Sequence, residues 1–126
     1  MFELTVDTHF DAAHCLEGYK GECSRVHGHT WTVWATVEAA ALDDLGMSID
    51  FKLLKAALKR IVDRYDHLVL NDLDEFSGIN PTAELIAKSI YDSLADDLDS
   101  ENVTVLSVTV GEGDRNRVAY RPDNRR

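Results

Sequence analysis

Phe2, Leu4, Val6, Phe10 and Ala12 share one parity of residues 2–14, while Glu3, Asp7 and Asp11 take the other. A period of two is the mark of a strand buried on one face only. Residues 15–26 carry Gly18, Lys20 and Gly21 and read as a loop. Alternation resumes over 27–40, where His27, His29, Trp31, Val33, Ala35 and Val37 share a face. The period then changes. Ile49-Asp50-Phe51 leads into Leu53, Leu54, Ala57, Leu58, Ile61, Val62 and Tyr65, spaced by three and four as on one helix face. Asp50 is placed to cap that helix. After a loop with Asn71, Asp72, Asp74 and Gly78, Asn80-Pro81 predicts a second helix with Pro81 at its first position, where a missing N–H does no harm. Its apolar stripe is Leu85, Ile86, Ile90, Leu94 and Leu98. Residues 103–112 alternate again, with Leu106, Val108, Val110 and Glu112 on one parity, and 117–121 make a short last strand. The order ββααββ predicts the α+β class: an antiparallel sheet with two helices on one face. Such a sheet has two open edges, and joining sheets between chains would cover them, so a homo-oligomer is expected.

Composition narrows the function. A chain of 126 residues fits one domain over 1–126. With 44% apolar and 29% charged residues it is globular rather than disordered. No stretch approaches the roughly 20 apolar residues of a membrane span, so no membrane partner is expected. Met1–Asp7 lacks a basic region followed by an apolar one, which points to the cytoplasm. The net charge of −10 argues against nucleic acid, which calls for a basic stripe. That charge is unevenly spread: residues 71–101 sum to −8 and residues 114–126 to +3. The acidic block reads as a solvated helix face. Two cysteines in a cytosolic chain suggest metal or nucleophile roles before a disulfide. Trp31 and Trp34 are expected to face the core and a helix or subunit interface, one each.

Chemistry concentrates in Cys23-Ser24-Arg25-Val26-His27-Gly28-His29. Residues two apart in a strand point the same way at about 6.5–7 Å spacing, so His27 and His29 can converge on one ion. Gly28 between them eases close approach of a strand or ligand. Alone, such a pair equally describes two histidines lining a polar patch. His14 ends the preceding strand, and an antiparallel return brings it beside His27. Three imidazoles with a fourth position open is the pattern of catalytic rather than structural zinc. Cys23, four residues before His27, is either an ordinary buried thiol or a thiolate whose pKa a nearby cation lowers. Asp66-His67 is either a histidine capping a helix C-terminus or a carboxylate-oriented general acid/base. Glu112 ends an apolar face: it is a turn glutamate, or an acceptor for a ligand with two parallel N–H donors. Cys15 is expected to point to the face opposite His14.

These residues together resemble the 6-pyruvoyl-tetrahydropterin synthase family, and more closely its 6-carboxytetrahydropterin synthase branch in queuosine precursor biosynthesis. The resemblance runs through Phe10-Asp11-Ala12-Ala13-His14, Cys23-x3-His27-Gly28-His29, Ile49-Asp50-Phe51, Asp66-His67-x2-Leu70-Asn71, Asn80-Pro81-Thr82-Ala83-Glu84 and Val110-Gly111-Glu112. It implies the tunnelling fold, in which trimers close a twelve-stranded barrel and two trimers usually stack. It further implies that His14, His27 and His29 bind Zn2+, that Cys23 is the catalytic cysteine, and that Asp66 and His67 form the dyad opposite it. Glu112 matches the glutamate that anchors the pterin's amino-pyrimidine ring. The implied reaction converts 7,8-dihydroneopterin triphosphate to 6-carboxytetrahydropterin, acetaldehyde and triphosphate. Its alternatives are 6-pyruvoyl-tetrahydropterin synthesis, an aldolase-like cleavage of dihydroneopterin, and a zinc- and pterin-binding oligomer without catalysis. Lys20, Arg25 and the C-terminal arginines are the candidates to meet the triphosphate. Cys15 stands where the branch often has a basic or polar residue.

Overall fold

The computed structural model describes residues 1–124. Strand β1 (Phe2–His14) runs antiparallel to β2 (His27–Ala39), and every residue of one finds a partner on the other, from Phe2 opposite Ala39 to His14 opposite His27. Strands β3 (Val103–Glu112) and β4 (Asn116–Tyr120) complete a four-stranded sheet in the order β1-β2-β3-β4, antiparallel throughout. Helices α1 (Phe51–Val62) and α2 (Ala83–Leu98) cover one face. Val6, Phe10, Trp31, Val33, Ala35, Val37, Val108 and Val110 from the sheet meet Leu54, Leu58, Ile61, Ile86, Ile90 and Leu94 from the helices in one buried core. The α+β reading and its ββααββ order therefore hold. No helix among the described residues is long and apolar enough to cross a membrane.

Four details differ from the pattern-based expectation. Leu53 lies outside the apolar stripe of α1 and is 54% exposed, so the helix buries the narrower set Leu54, Ala57, Leu58, Ile61 and Val62. Asp50 does cap α1, its carboxylate accepting from Lys52 N–H. Pro81 is not the first residue of α2. Thr82 caps the helix by accepting from Leu85 N–H, which leaves Pro81 one residue outside, buried, with its carbonyl oxygen on the His14 ring. The hydroxyl supplies a hydrogen bond that proline cannot, and that sets the boundary.

The parity of β3 also breaks. Val105 faces Val37 and Ser107 faces Thr36, leaving Leu106 as an extra residue in a β-bulge. Val103 and Val105 therefore reach the core on one side of the bulge, and Val108 and Val110 on the other; Leu106 is buried outside that core. Finally, β4 begins at Asn116 rather than 117. Trp31 is fully buried, as one of the two tryptophans was expected to be; Trp34 lies on the opposite face, under the Arg117 guanidinium at 4.3 Å. Arg125 and Arg126, among the expected phosphate contacts, lie outside the described residues.

Candidate active site

The register of β1 and β2 sets His14 opposite His27 and puts His29 two residues further along the same face. Their rings pack edge to face, with centroids 4.6 Å apart for His14–His27, 5.4 Å for His14–His29 and 4.8 Å for His27–His29. Trp31 forms the floor, its indole edge-on to His14 and His29 and its Nε1–H donating to the Ala12 carbonyl.

Each ring is oriented by the chain around it. His14 Nδ1 lies 2.8 Å from the Pro81 carbonyl, and His27 Nδ1 lies 2.6 Å from that of Arg25. A carbonyl can only accept, so Nδ1 carries the proton in both rings and Nε2 presents its lone pair. The Nε2 atoms of His14 and His29 are buried without a hydrogen bond among the described residues. Buried polar atoms are rarely left so, and an unpaired imidazole nitrogen calls for an unseen partner. Glu112 joins them. Its Oε1 stands 3.1 Å from His29 Nε2, close enough for charge attraction, although the pair is not aligned as a hydrogen bond.

One donor atom from each of His14, His27, His29 and Glu112 falls within 4.8 Å of all the others. Three neutral imidazoles and a carboxylate suit a borderline-soft divalent cation, so the donor set fits a metal. Burial is the first cause holding the His14 and His29 pKa values below 6.5; Glu112 opposes it at both rings, and the Pro81 hydrogen bond opposes it at His14. Imidazoles kept neutral are the form that ligates a cation.

Asp66 and His67 follow α1 on a turn that docks along the open edge of β1. Tyr65 fixes the turn from below, buried in the core with its hydroxyl 3.0 Å from Ser89 Oγ of α2. His67 N–H donates to the Asp11 carbonyl at 2.6 Å, Ala13 N–H donates to the Leu68 carbonyl at 3.0 Å, and Val69 pairs in parallel with Ala13. His67 Nδ1 meets Asp66 Oδ2 at 2.9 Å. The Asp11 N–H, followed by His67, holds the Asp66 carboxyl below its ordinary range, and Asp66 in turn raises the His67 pKa. His67 adopts φ 61°, a left-handed backbone unusual for a residue with a side chain. His67 and His29 line the same cavity of about 530 Å³, with Asp11, Gly28, Thr30 and Leu68. A Cβ at Gly28 would touch nothing within 4 Å. Gly28 therefore borders open space rather than admitting a close-packed strand.

Cys23 is not brought into this cluster. It lies half-buried in the short turn Glu22–Ser24, its carbonyl accepting from Leu16 N–H, and its sulfur is not among the donor atoms gathered around the imidazoles. Cys15, just past the end of β1, is half-buried. Two asparagines, Asn71 of the expected loop and Asn80 of the expected helix start, hold this segment. Asn71 accepts from Cys15 N–H and donates to its carbonyl, and Asn80 does the same for Glu17. Their type was visible, but their partners lie 56 and 63 residues away.

A sheet that gathers three imidazoles and a carboxylate beside an oriented carboxylate–imidazole pair has the donor set for a cation and the groups for acid–base chemistry. The sequence profile described as 6-pyruvoyl tetrahydropterin synthase matches residues 3–123, and the chain belongs to that family of enzymes. It is 44% identical to the 6-carboxy-5,6,7,8-tetrahydropterin synthase of Bacillus subtilis, over 96% of this chain and 86% of that protein. It is 33% identical to the 6-pyruvoyl tetrahydrobiopterin synthase of Dictyostelium discoideum, over 80% and 74% of the two chains. The fold matches the Caenorhabditis elegans 6-pyruvoyl tetrahydropterin synthase structure with a TM-score of 0.83 at 24% identity, covering 97% of this chain and 96% of that one. The architecture is thus the tunnelling fold.

Proposed function

We propose that the protein is a zinc-dependent 6-carboxy-5,6,7,8-tetrahydropterin synthase acting towards queuosine and related 7-deazaguanine precursors. The reaction takes 7,8-dihydroneopterin triphosphate and water to 6-carboxytetrahydropterin, acetaldehyde and triphosphate. The observation that carries this reading is the buried Nε2 of His29, without a partner among the described residues, in a cavity wall shared with His67, and beside it the equally partnerless Nε2 of His14. The relative of that name at 44% identity supports the choice of product.

His14, His27 and His29 hold the zinc, which supplies Lewis acidity towards the substrate's side-chain hydroxyls. Burial keeps His14 and His29 neutral, and Trp31 packs edge-on against both, so these donors need little reorganisation. Asp66 holds the Nδ1 proton of His67, and Nε2 is left to exchange a proton with the substrate. Cys23 as thiolate handles the proton on the other side of the side chain. The loop that carries it must bring the sulfur in when substrate binds. Glu112 accepts hydrogen bonds from the pterin's amino-pyrimidine donors; standing 3.1 Å from His29 Nε2, it places any group it binds at the edge of the metal centre. Lys20 and Arg25 are the cations nearest in sequence to the histidine strand and the proposed triphosphate contacts. Pairing of open sheet edges between chains gives a trimer or a dimer of trimers, in the cytoplasm.

Incubating zinc-loaded protein with dihydroneopterin triphosphate and identifying pterin and aldehyde products by mass analysis tests the reading. Acetaldehyde with 6-carboxytetrahydropterin is expected. The Dictyostelium relative favours a second reading, in which triphosphate is eliminated and the carbon chain kept; a pyruvoyl product without acetaldehyde would establish it. Glycolaldehyde instead would indicate an aldolase, and binding without turnover a pterin-binding protein.

A further inference from the structure

The residue that ties the Asp66–His67 pair to the sheet is Asp11. Its main chain holds both partners: the N–H donates to Asp66 Oδ1 at 2.9 Å and the carbonyl accepts from His67 N–H at 2.6 Å. Any amino acid could make those two bonds. The side chain adds something specific. Asp11 sits directly opposite Thr30 in the β1–β2 register, and Thr30 Oγ1 donates to Asp11 Oδ1 at 2.6 Å. A hydroxyl–carboxylate bond this short is of the charge-assisted kind and fixes the carboxylate's direction. Donor atoms of Asp11, Asp66 and His67 all lie within 4.8 Å of one another. Two carboxylates therefore flank one imidazole, and both Asp11 and Thr30 line the cavity that His67 enters.

We propose that Asp11 is a positioning residue for the Asp66–His67 pair: a second anion, aimed by Thr30, that orients the His67 imidazole towards the cavity and strengthens its hold on a proton. The proposal rests on His67 acting as the acid/base assigned above. One carboxylate already binds Nδ1, so the second acts through space on the whole ring. Two carboxylates side by side repel each other, and the cation between them offsets that repulsion. The arrangement thus favours the protonated ring. Among the described residues, Asp66 from its own turn and Asp11 from β1 are the charges that raise the His67 pKa. Lys59 of α1 acts on Asp66 rather than on the ring, and His29 of β2 faces the same cavity. Nothing in the strand pattern marks Asp11, which sits on the polar parity like Glu3 and Asp7.

Asp11→Asn tests this, because it keeps the shape, both main-chain bonds and an oxygen for Thr30 while removing the charge. In zinc-loaded protein, NMR titration of the His67 ring, assigned with His67→Asn, follows its midpoint directly. The expected result is a fall of about half a pH unit or more in Asp11→Asn. Turnover should fall about tenfold with KM little changed, and the pH profile of kcat should move with the midpoint. Asp11→Glu should restore part of the midpoint, and Thr30→Val, which leaves the charge but releases its direction, should lower kcat with a smaller change in midpoint. An unmoved His67 midpoint in Asp11→Asn overturns the proposal. So does a second zinc ion per chain that the parent binds and Asp11→Asn loses, which would make the cluster a cation site. The NMR readout needs no turnover, so a moved midpoint in a protein without synthase activity would keep this assignment while sinking the proposed reaction.

Discussion

His14 and Pro81 lie 67 residues apart in sequence and are joined by a buried hydrogen bond from imidazole Nδ1 to carbonyl oxygen. The bond ties the end of β1 to the approach of α2, and Thr82, the cap of α2, is the next residue. Thr82→Ala should lower stability by about 1 kcal/mol through the lost cap. Because it loosens the peptide that orients His14, zinc affinity should also fall, by about tenfold, the size of effect typical for an outer-shell partner. Thermal melting and chelator competition measure the two separately. A melting change with unaltered affinity would show that the Pro81 carbonyl does not orient the ring.

Ligand and proton-transfer roles separate on substitution. Replacing His14, His27 or His29 by alanine should weaken zinc binding by more than about 100-fold, since each removes a direct donor. Cys23→Ala should keep its zinc and lose turnover by about 100-fold or more. Elemental analysis alongside the product assay distinguishes the cases. Full activity in Cys23→Ala would remove the cysteine from the mechanism.

The charge state of His67 gives a signed pH effect. Its pKa is raised above 6.5 by the hydrogen bond its ring donates to Asp66 and by that carboxylate's charge. A raised folded pKa favours the native state below 6.5, and that contribution is lost as pH rises through the folded value. Asp66 works the other way: its pKa is lowered from 3.8, so its contribution is present above 3.8 and lost as pH falls through the folded value. Both groups are exposed, and solvent screening keeps the stability effect small. In Asp66→Asn the His67 midpoint should drop back towards 6.5, as read by imidazole NMR. A midpoint that stays high would deny the carboxylate its part.

Gly111, beside Glu112 in β3, lies close to Trp34. A Cβ there would stand 3.3 Å from Trp34 Cζ3 and 3.4 Å from the Gly113 carbonyl oxygen. Arg117 lies over the Trp34 ring at 4.3 Å and restrains it. Gly111→Ala should therefore destabilise by about 1–3 kcal/mol, as overpacking does. Melting against a Gly111→Ala/Arg117→Ala double variant tests the cause. If removing the arginine restores nothing, the clash lies with the Gly113 backbone instead.

Alternation was enough to place His14, His27 and His29 on one face, because a strand's period is fixed by its backbone and an antiparallel return leaves few registers. The helix stripes were legible for the same reason. The bulge at Leu106 was not, since Ser107 and Val105 look alike to a period of two whichever one is displaced. The start of α2 depended on a choice between Pro81 and Thr82 that only the hydroxyl's bond to Leu85 decides. The grip of Asn71 on Cys15 and of Asn80 on Glu17, and the docking of His67 on Asp11, join segments far apart in the chain. No local pattern records them. The turn holding Cys23 is closed locally, on Leu16 and Gly21, and its sequence proximity to His27 did not translate into membership of the cluster.

The left-handed backbone at His67 has a consequence for anyone who would engineer this protein. A residue with a side chain held there stores about 1–2 kcal/mol of strain that asparagine or glycine would partly release. His67→Asn should therefore melt at a higher temperature than the parent while turning over no substrate. Selection for heat resistance alone would discard this position early, and a variant library ranked by melting point would rise as its chemistry disappeared.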